Sequence, residues 1–154
     1  MRLSKKLFAA IIVLSIGGLG TTAALSQDKD KAISERQEAM KQQGRDMVAV
    51  RNYAEGKGDQ ATATAAIDAL TKSVPKVPDW FPPGTGIGDV TVKTRAKPEI
   101  WKEHDKFLAA DKTVIGQIAM LDAAVRAGDK AKTEAVFKEI NFCSSCHDTF
   151  RAKE

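Results

Sequence analysis

The chain has 154 residues, a length suited to a single domain. It carries 24 basic and 20 acidic residues, for a formal net charge of +4, and three of the basic residues, Arg2, Lys5 and Lys6, lie at the N-terminus. Without those three, 21 basic residues stand against 20 acidic ones, a net charge of +1. This near-neutral balance gives no reason to expect a nucleic acid or an anionic membrane surface as a partner.

The first 26 residues have the pattern of a secretory signal peptide. The three basic residues precede an apolar run at 7–14, glycines follow it, and Ala24 and Ser26 are small residues where a signal peptidase cleaves. The run is short for a transmembrane helix, so an uncleaved membrane anchor is the less favoured alternative. We expect residues 1–26 to be removed and 27–154 to form one exported domain without a membrane span, which in a bacterium lies in the periplasm.

The first helix is predicted from about Ala32 to Glu55, after a short polar leader. Side chains recur there at spacings of three and four residues, the period of one helix face. That face includes Arg36, Met40 and Gly44. The inward stripe of this helix therefore combines a guanidinium, a thioether and a position without a side chain.

A second helix and a long irregular segment follow. Asp59 is a suitable N-cap for a helix from about residue 60 to 73. All five prolines of the chain then fall within residues 74–98, which excludes long regular elements there. Trp80 and Phe81 lie inside this segment, and two large apolar side chains indicate a loop that packs on the core.

Two more helices complete the predicted fold. The third begins near Pro98, a good first-turn residue, and ends at about Arg126. Residues 127–129 close it and cap the fourth, which spans about 130–151. Four amphipathic helices joined by two short links and one long link predict an all-α fold, an antiparallel up-and-down four-helix bundle. His104 stands among charged residues of the third helix, and we expect it to be exposed.

The last predicted helix contains the sequence Cys143-Ser144-Ser145-Cys146-His147. Two cysteines separated by two residues and followed by histidine form the attachment pattern of a c-type haem. On a helix the two cysteines share one face, so both thiols reach the vinyl groups of one porphyrin. His147 lies on the same face and brings an imidazole nitrogen to the iron.

Three other interpretations use these residues less completely. A structural zinc site needs four nitrogen or sulfur ligands, and the chain has only two cysteines and two histidines, one of them the distant His104. A thioredoxin-like dithiol belongs in a strand-helix-strand unit, which does not precede this pair. A simple disulfide leaves His147 without a role. We therefore expect one covalently bound haem c per chain.

With this motif on the last of four helices, the chain resembles the class II cytochromes c, which comprise cytochrome c′ and its low-spin relatives. The resemblance covers essentially the whole mature chain. Three further parts of the sequence carry it: residues 36–41 in the first helix, the loop at 81–86 with the helix entry at 97–101, and the tail at 147–151. The loop and the helix entry resemble the low-spin branch.

The resemblance implies roles for six of the candidate site residues, while Gly44 and Trp80 are candidates from their residue types and positions. Cys143 and Cys146 would form the thioether bonds, His147 would be the proximal iron ligand, and Met40 would face the distal side. The remaining candidates for contacts with a propionate or with the haem edge are Arg36, Gly44, Trp80 and Arg151. Simpler roles are open for several of them: core packing for Met40 and Trp80, a boundary charge for Arg36, and a favourable helix-end cation at Arg151.

The low-spin resemblance of the loop implies that Met40 is an iron ligand, and a thioether suits iron that cycles between two oxidation states. We therefore expect a periplasmic electron carrier whose iron is held by His147 and Met40. Some cytochromes c′ also have methionine at this place and leave the iron five-coordinate. The alternative function is therefore a five-coordinate cytochrome c′ that binds nitric oxide or carbon monoxide at an open distal site.

No enzymatic activity is expected, since the first helix has no histidine for acid-base catalysis of the peroxidase type. The expected partner is another redox protein, met through a small and transient surface. The resemblance also allows a homodimer formed through the first two helices.

Overall fold

The computed structural model describes residues 20–140 and 144–153, with side chains from residue 28 onward. Its six helices are α1 (Gly20–Ala54), α2 (Gln60–Ser73), α3 (Glu99–Lys102), α4 (His104–Arg126), α5 (Lys130–Glu139) and α6 (Ser144–Phe150). Two 3₁₀ turns, Val74–Lys76 and Pro78–Trp80, follow α2. The described residues contain no strand, and their one β-bridge joins Ala96 to Arg151. The predicted all-α fold is confirmed.

The four-helix bundle is formed by α1, α2, α4 and the pair α5 and α6. Helix α1 packs on α2 and α5, and α4 packs on α2, α5 and α6. The two short links contain Gly56 and Gly128 with φ of 73° and 71°, a backbone conformation that glycine adopts without strain. Asp59 and Asp129 then cap the following helices, as predicted, by accepting backbone N–H groups at 2.8 Å. Tight turns of this kind make neighbouring helices antiparallel.

Apolar side chains from α1, α2, α4 and α5 form the larger of two hydrophobic clusters. Its centre is fully buried and consists of Val50, Ile67, Leu70, Leu121 and Val125. This cluster holds the helices together at the end of the bundle that contains the two tight turns.

The second cluster lies at the other end of the bundle. It packs residues 74–98, here called the proline segment, against α3, α4 and α6. Val77, Ile100, Phe107 and Phe150 are buried in it. The ring of Phe107 makes edge-on contacts with Phe150 and with Phe81, each at a centroid distance of 5.2 Å. Such T-shaped pairs are a favourable arrangement of aromatic rings. The predicted packing of the proline segment on the core is therefore observed.

Helix α1 differs from the prediction at its start, since it begins at Gly20 instead of near Ala32. Residues 21–31 contain no proline and no glycine, and several of them are good helix formers. The polar residues before Ala32, which we predicted to lie outside the helix, are therefore helical. The helix runs through the predicted cleavage position after Ser26. Residues 1–19 lie outside the described residues, and removal of the signal peptide stays a prediction.

The third and fourth predicted helices are each interrupted. The third is divided into α3 and α4 at Glu103, with φ −120° and ψ 45°, because α3 is tied to the proline segment: the indole of Trp101 donates to the Phe81 carbonyl at 2.9 Å. The fourth is interrupted after Glu139, where Ile140 is extended. A β-branched side chain at this position has a low helix propensity, which explains the end of α5 there.

We expect Leu121→Ala to lower the free energy of unfolding by about 2–5 kcal/mol, because Leu121 is fully buried in the larger cluster and its removal leaves a cavity. Leu108→Ala on the same helix is the matched control. Leu108 is 40% exposed, so its loss should change stability by about 0.5 kcal/mol. Urea unfolding followed by circular dichroism measures both, and equal effects would contradict the assigned core.

Candidate haem site

A cavity of about 650 Å³ lies between α1, the proline segment, α4 and α6. Helix α1 lines it with Arg36, Met40 and Gly44, and α6 lines it with Cys146 and His147. Residues that are far apart in the sequence, and that the sequence predicts to contact one cofactor, thus share one cavity.

The volume and the lining of the cavity fit a large, mostly apolar group with anionic ends. Its volume is in the range of pockets that enclose organic cofactors. A Cβ atom built on Gly44 would meet no atom within 4 Å, so this part of the α1 wall faces open space. Among the charged lining residues, most are basic and suit carboxylates; they are Arg36, Lys41, Lys93, Arg95 and Arg151. The residues present therefore fit haem.

Several hydrogen bonds hold the side chain of Arg36 in the cavity wall. Its guanidinium donates to the Thr85 hydroxyl at 3.0 Å, to the Thr85 carbonyl at 3.1 Å and to the Thr94 hydroxyl at 3.0 Å. It also lies 4.5 Å from the centroid of the Phe81 ring. Although Arg36 is only 4% exposed, none of the described residues offers it a carboxylate, and burial lowers its pKa to about 10. A positive charge thus remains at the cavity without an anionic partner in the described part of the chain.

The same contacts attach the proline segment to α1. Thr85 is fully buried, and its hydroxyl donates to the Pro82 carbonyl at 2.8 Å while it accepts from Arg36. Nearby, the Gln37 amide donates to the Lys93 carbonyl at 2.9 Å. These bonds hold the loop against α1, where Phe81, Lys93 and Thr94 line one side of the cavity.

Helix α6 is held against the other end of the proline segment by backbone hydrogen bonds. The Lys97 N–H donates to the Phe150 carbonyl at 3.0 Å, and the Ala152 N–H donates to the Arg95 carbonyl at 2.9 Å. His147, one turn before Phe150, is half-buried. Burial lowers its pKa, and neighbouring cations lower it further. The neutral ring, which is the form that binds a metal, is therefore favoured.

The structure places the other candidates as follows. Met40 is half-buried and packs against the second cluster. Arg151 is exposed and lines the cavity. Trp80 also packs against the second cluster but does not line the cavity, and its carbonyl accepts from Arg36 at 3.4 Å. Cys143 lies outside the described residues, and its thioether bond stays a prediction.

One cavity residue, Asp111, escaped the sequence interpretation. It lies on α4 between Phe107 and Val114, at the spacing of one helix face, and all three line the cavity. The signal in the sequence was a single acidic residue on an otherwise apolar stripe. His104, at the start of the same helix, is exposed as expected.

The family comparison identifies this arrangement. The family model described as Cytochrome C′ matches residues 31–151. The chain belongs to the cytochrome c′ family. It is 40% identical to cytochrome c′ of Cereibacter sphaeroides over 96 residues, which is 62% of this chain and 64% of that protein. It is 30% identical to cytochrome c′ of Rhodopseudomonas palustris over 161 aligned positions, which cover 100% of this chain and 99% of the relative.

Solved structures agree with the bundle. A cytochrome c′ from Rhodobacter spheriodes has a TM-score of 0.72 and 30% identity, and the match covers 82% of this chain and 98% of that one. A nitric oxide complex of a cytochrome c prime variant from Alcaligenes xylosoxidans has a TM-score of 0.70 and 27% identity, with 81% and 97% covered. The predicted four-helix bundle and the predicted cofactor, one covalently attached haem c per chain, are confirmed.

The expected His/Met electron carrier is wrong. Several of the similar proteins are cytochromes c′, although others, such as one of Rhodopseudomonas palustris that is 29% identical over 92% of this chain, are cytochromes c-556. One of the similar structures is a nitric oxide complex, which needs an iron position open to a diatomic ligand. These findings favour the alternative, a five-coordinate haem. The likeness of the proline loop to the low-spin branch was misleading, because the buried loop residue Thr85 binds Arg36 and so has a structural role that does not depend on iron coordination.

We expect Thr85→Val to lower the free energy of unfolding by about 1–3 kcal/mol, because the valine leaves a donor of Arg36 and the Pro82 carbonyl without a partner. Thr113→Val is the control, since the Thr113 hydroxyl donates to a carbonyl of its own helix at an exposed position. That change should cost about 0.5 kcal/mol or less. Denaturant unfolding of the two purified variants measures their free energies of unfolding. Similar decreases in the two variants would refute the structural role of Thr85.

Proposed function

We propose that this protein is an exported, five-coordinate cytochrome c′ that binds nitric oxide or carbon monoxide at an open distal position. The observation that carries the proposal is the likeness to cytochromes c′, together with a similar structure that is a nitric oxide complex. Gly44, one turn after Met40, keeps the α1 wall free of side-chain bulk where the haem would lie. In this proposal Met40 shields the distal side without binding the iron, and the gas binds beside its thioether.

In this proposal Cys143 and Cys146 hold the haem through thioether bonds, and His147 is its proximal ligand. Haem iron, when bound, supplies the redox centre and the position that takes the gas. His147 suits its role because its half-buried ring is favoured in the neutral form. Arg36 suits a propionate because its buried charge has no carboxylate partner among the described residues. Arg151 lines the cavity one turn after His147, and we place it beside the proximal side.

The apolar part of the cavity lining is compatible with a small and uncharged ligand. It comes from several elements and includes Val74, Val77, Ile100, Phe107 and Val114. An apolar wall offers little stabilisation to a charged ligand, whose desolvation is costly. Nitric oxide and carbon monoxide are small and neutral, so they avoid that cost.

We place the protein in the periplasm after cleavage of residues 1–26. None of the helices in the described part of the chain is long and apolar enough to cross a membrane. We assign no catalytic residue, since α1 carries no histidine. Reduction of the iron calls for a redox partner protein, and a homodimer through α1 and α2 remains our proposal for the assembly.

We expect Met40→Leu to leave the ferric and ferrous absorption spectra unchanged, because leucine keeps the bulk of methionine and removes only the sulfur. Met40→Ala should speed carbon monoxide binding about tenfold, as expected if the steric barrier falls by about 1.4 kcal/mol. Stopped-flow mixing of the reduced protein with carbon monoxide measures the rate. A spectrum that changes from low-spin to high-spin in Met40→Leu would refute the proposed coordination.

We expect the haem to stay with the polypeptide after unfolding and acid extraction, and the intact mass to include one haem. In the double variant Cys143→Ser with Cys146→Ser both covalent bonds are lost, so the extracted chain should have its bare mass. Ser144→Ala, between the two cysteines, is the control and should keep the haem. Mass spectrometry measures the intact mass of the exported unaltered protein, of the double variant and of the control. Release of haem from the unaltered chain would contradict the attachment.

A further inference from the structure

Asp111 is a buried carboxyl group in the cavity that the proposed function does not use. It is only 6% exposed, and the cavity lining includes it together with Phe107 and Val114. None of the described residues gives it a hydrogen bond or an ion pair, and burial alone raises its pKa to about 6. A buried carboxylate without a partner is unfavourable, so an explanation for its presence has to come from what fills the cavity.

Asp111 is also the only acidic residue among the described residues that line the cavity. The other titratable groups in the wall come from three parts of the chain. They are Arg36 and Lys41 on α1, Lys93 and Arg95 in the proline segment, and Cys146, His147 and Arg151 in or directly after α6. Helices α2, α3 and α5 also pack against α4 and contribute no titratable side chain to the described wall. Among the described lining residues, Asp111 on α4 is therefore the only source of negative charge.

We propose that the carboxylate of Asp111 faces the bound haem and stabilises its ferric state over its ferrous state. The inference rests on the proposed haem site. Loss of one electron from ferrous haem leaves one more positive charge on the iron and porphyrin. A negative charge in the same low-dielectric cavity stabilises that positive charge. Asp111 therefore lowers the midpoint potential of the protein.

The same placement couples reduction of the iron to protonation of Asp111. When the iron accepts an electron, the carboxylate loses the positive charge that stabilised it and takes up a proton from solvent. The ionised form of Asp111 favours ferric iron and the neutral form does not. The midpoint potential should therefore fall as the pH rises through the titration of this carboxyl group, and it should level off above that range.

The test is a spectroelectrochemical titration of the exported holoprotein at several pH values. Asp111→Asn should shift the midpoint potential to a more positive value at neutral pH and should abolish the fall of the potential with pH. The control is Asp105→Asn, which removes the same charge from an exposed position of α4, where solvent screens it. Equal potentials for the two variants would overturn the proposal.

Asp111→Glu is the second variant, since it keeps the charge. It should retain both the lower potential and its pH dependence. The unaltered protein provides a measurement that needs no variant: a potential that stays constant below and above pH 6 would also overturn the proposal. Covalent haem in each preparation is checked first by mass. Absence of haem from the unaltered chain would count against the proposed function. The midpoint potentials of the haem-containing variants test only the role of Asp111.

Discussion

The structure depends on one buried guanidinium. Arg36 leaves α1 and binds the hydroxyl and the carbonyl of Thr85 together with the hydroxyl of Thr94, and it stacks on Phe81. These contacts join a helix to the proline segment, whose regular structure is limited to two short 3₁₀ turns at its start. Hydrogen bonds to a charged donor are stronger than neutral ones, which makes the attachment effective where helices are absent. The cavity exists because this segment is held beside α1.

The cavity follows from the way the bundle is divided. The larger hydrophobic cluster fills the end with the two tight turns, and aromatic rings of the proline segment, α4 and α6 form the second cluster at the other end. The space between that cluster and α1 is lined by Met40, Gly44 and His147. A thioether, a glycine and an imidazole thus line the space in which we propose that the haem lies, with the diatomic ligand on the side of Met40.

The fold and the cofactor could be predicted from the sequence, because helix period, N-cap residues and the Cys-Ser-Ser-Cys-His motif are local signals. Iron coordination could not, since a methionine facing a haem has the same local sequence whether or not it is a ligand. The break of the third helix at Glu103 escaped notice because it results from the contact of Trp101 with Phe81, twenty residues away. Asp111 was missed because a single polar residue on an apolar face has no pattern of its own.

The central claim is that the iron has an open sixth position although Met40 lines the distal side. The electron paramagnetic resonance spectrum of the ferric, exported protein tests it without any variant or added ligand. A histidine-only coordination gives a weak ligand field, so the account predicts the signal of high-spin iron. A spectrum of purely low-spin iron, as expected from ligation by both His147 and Met40, would contradict it.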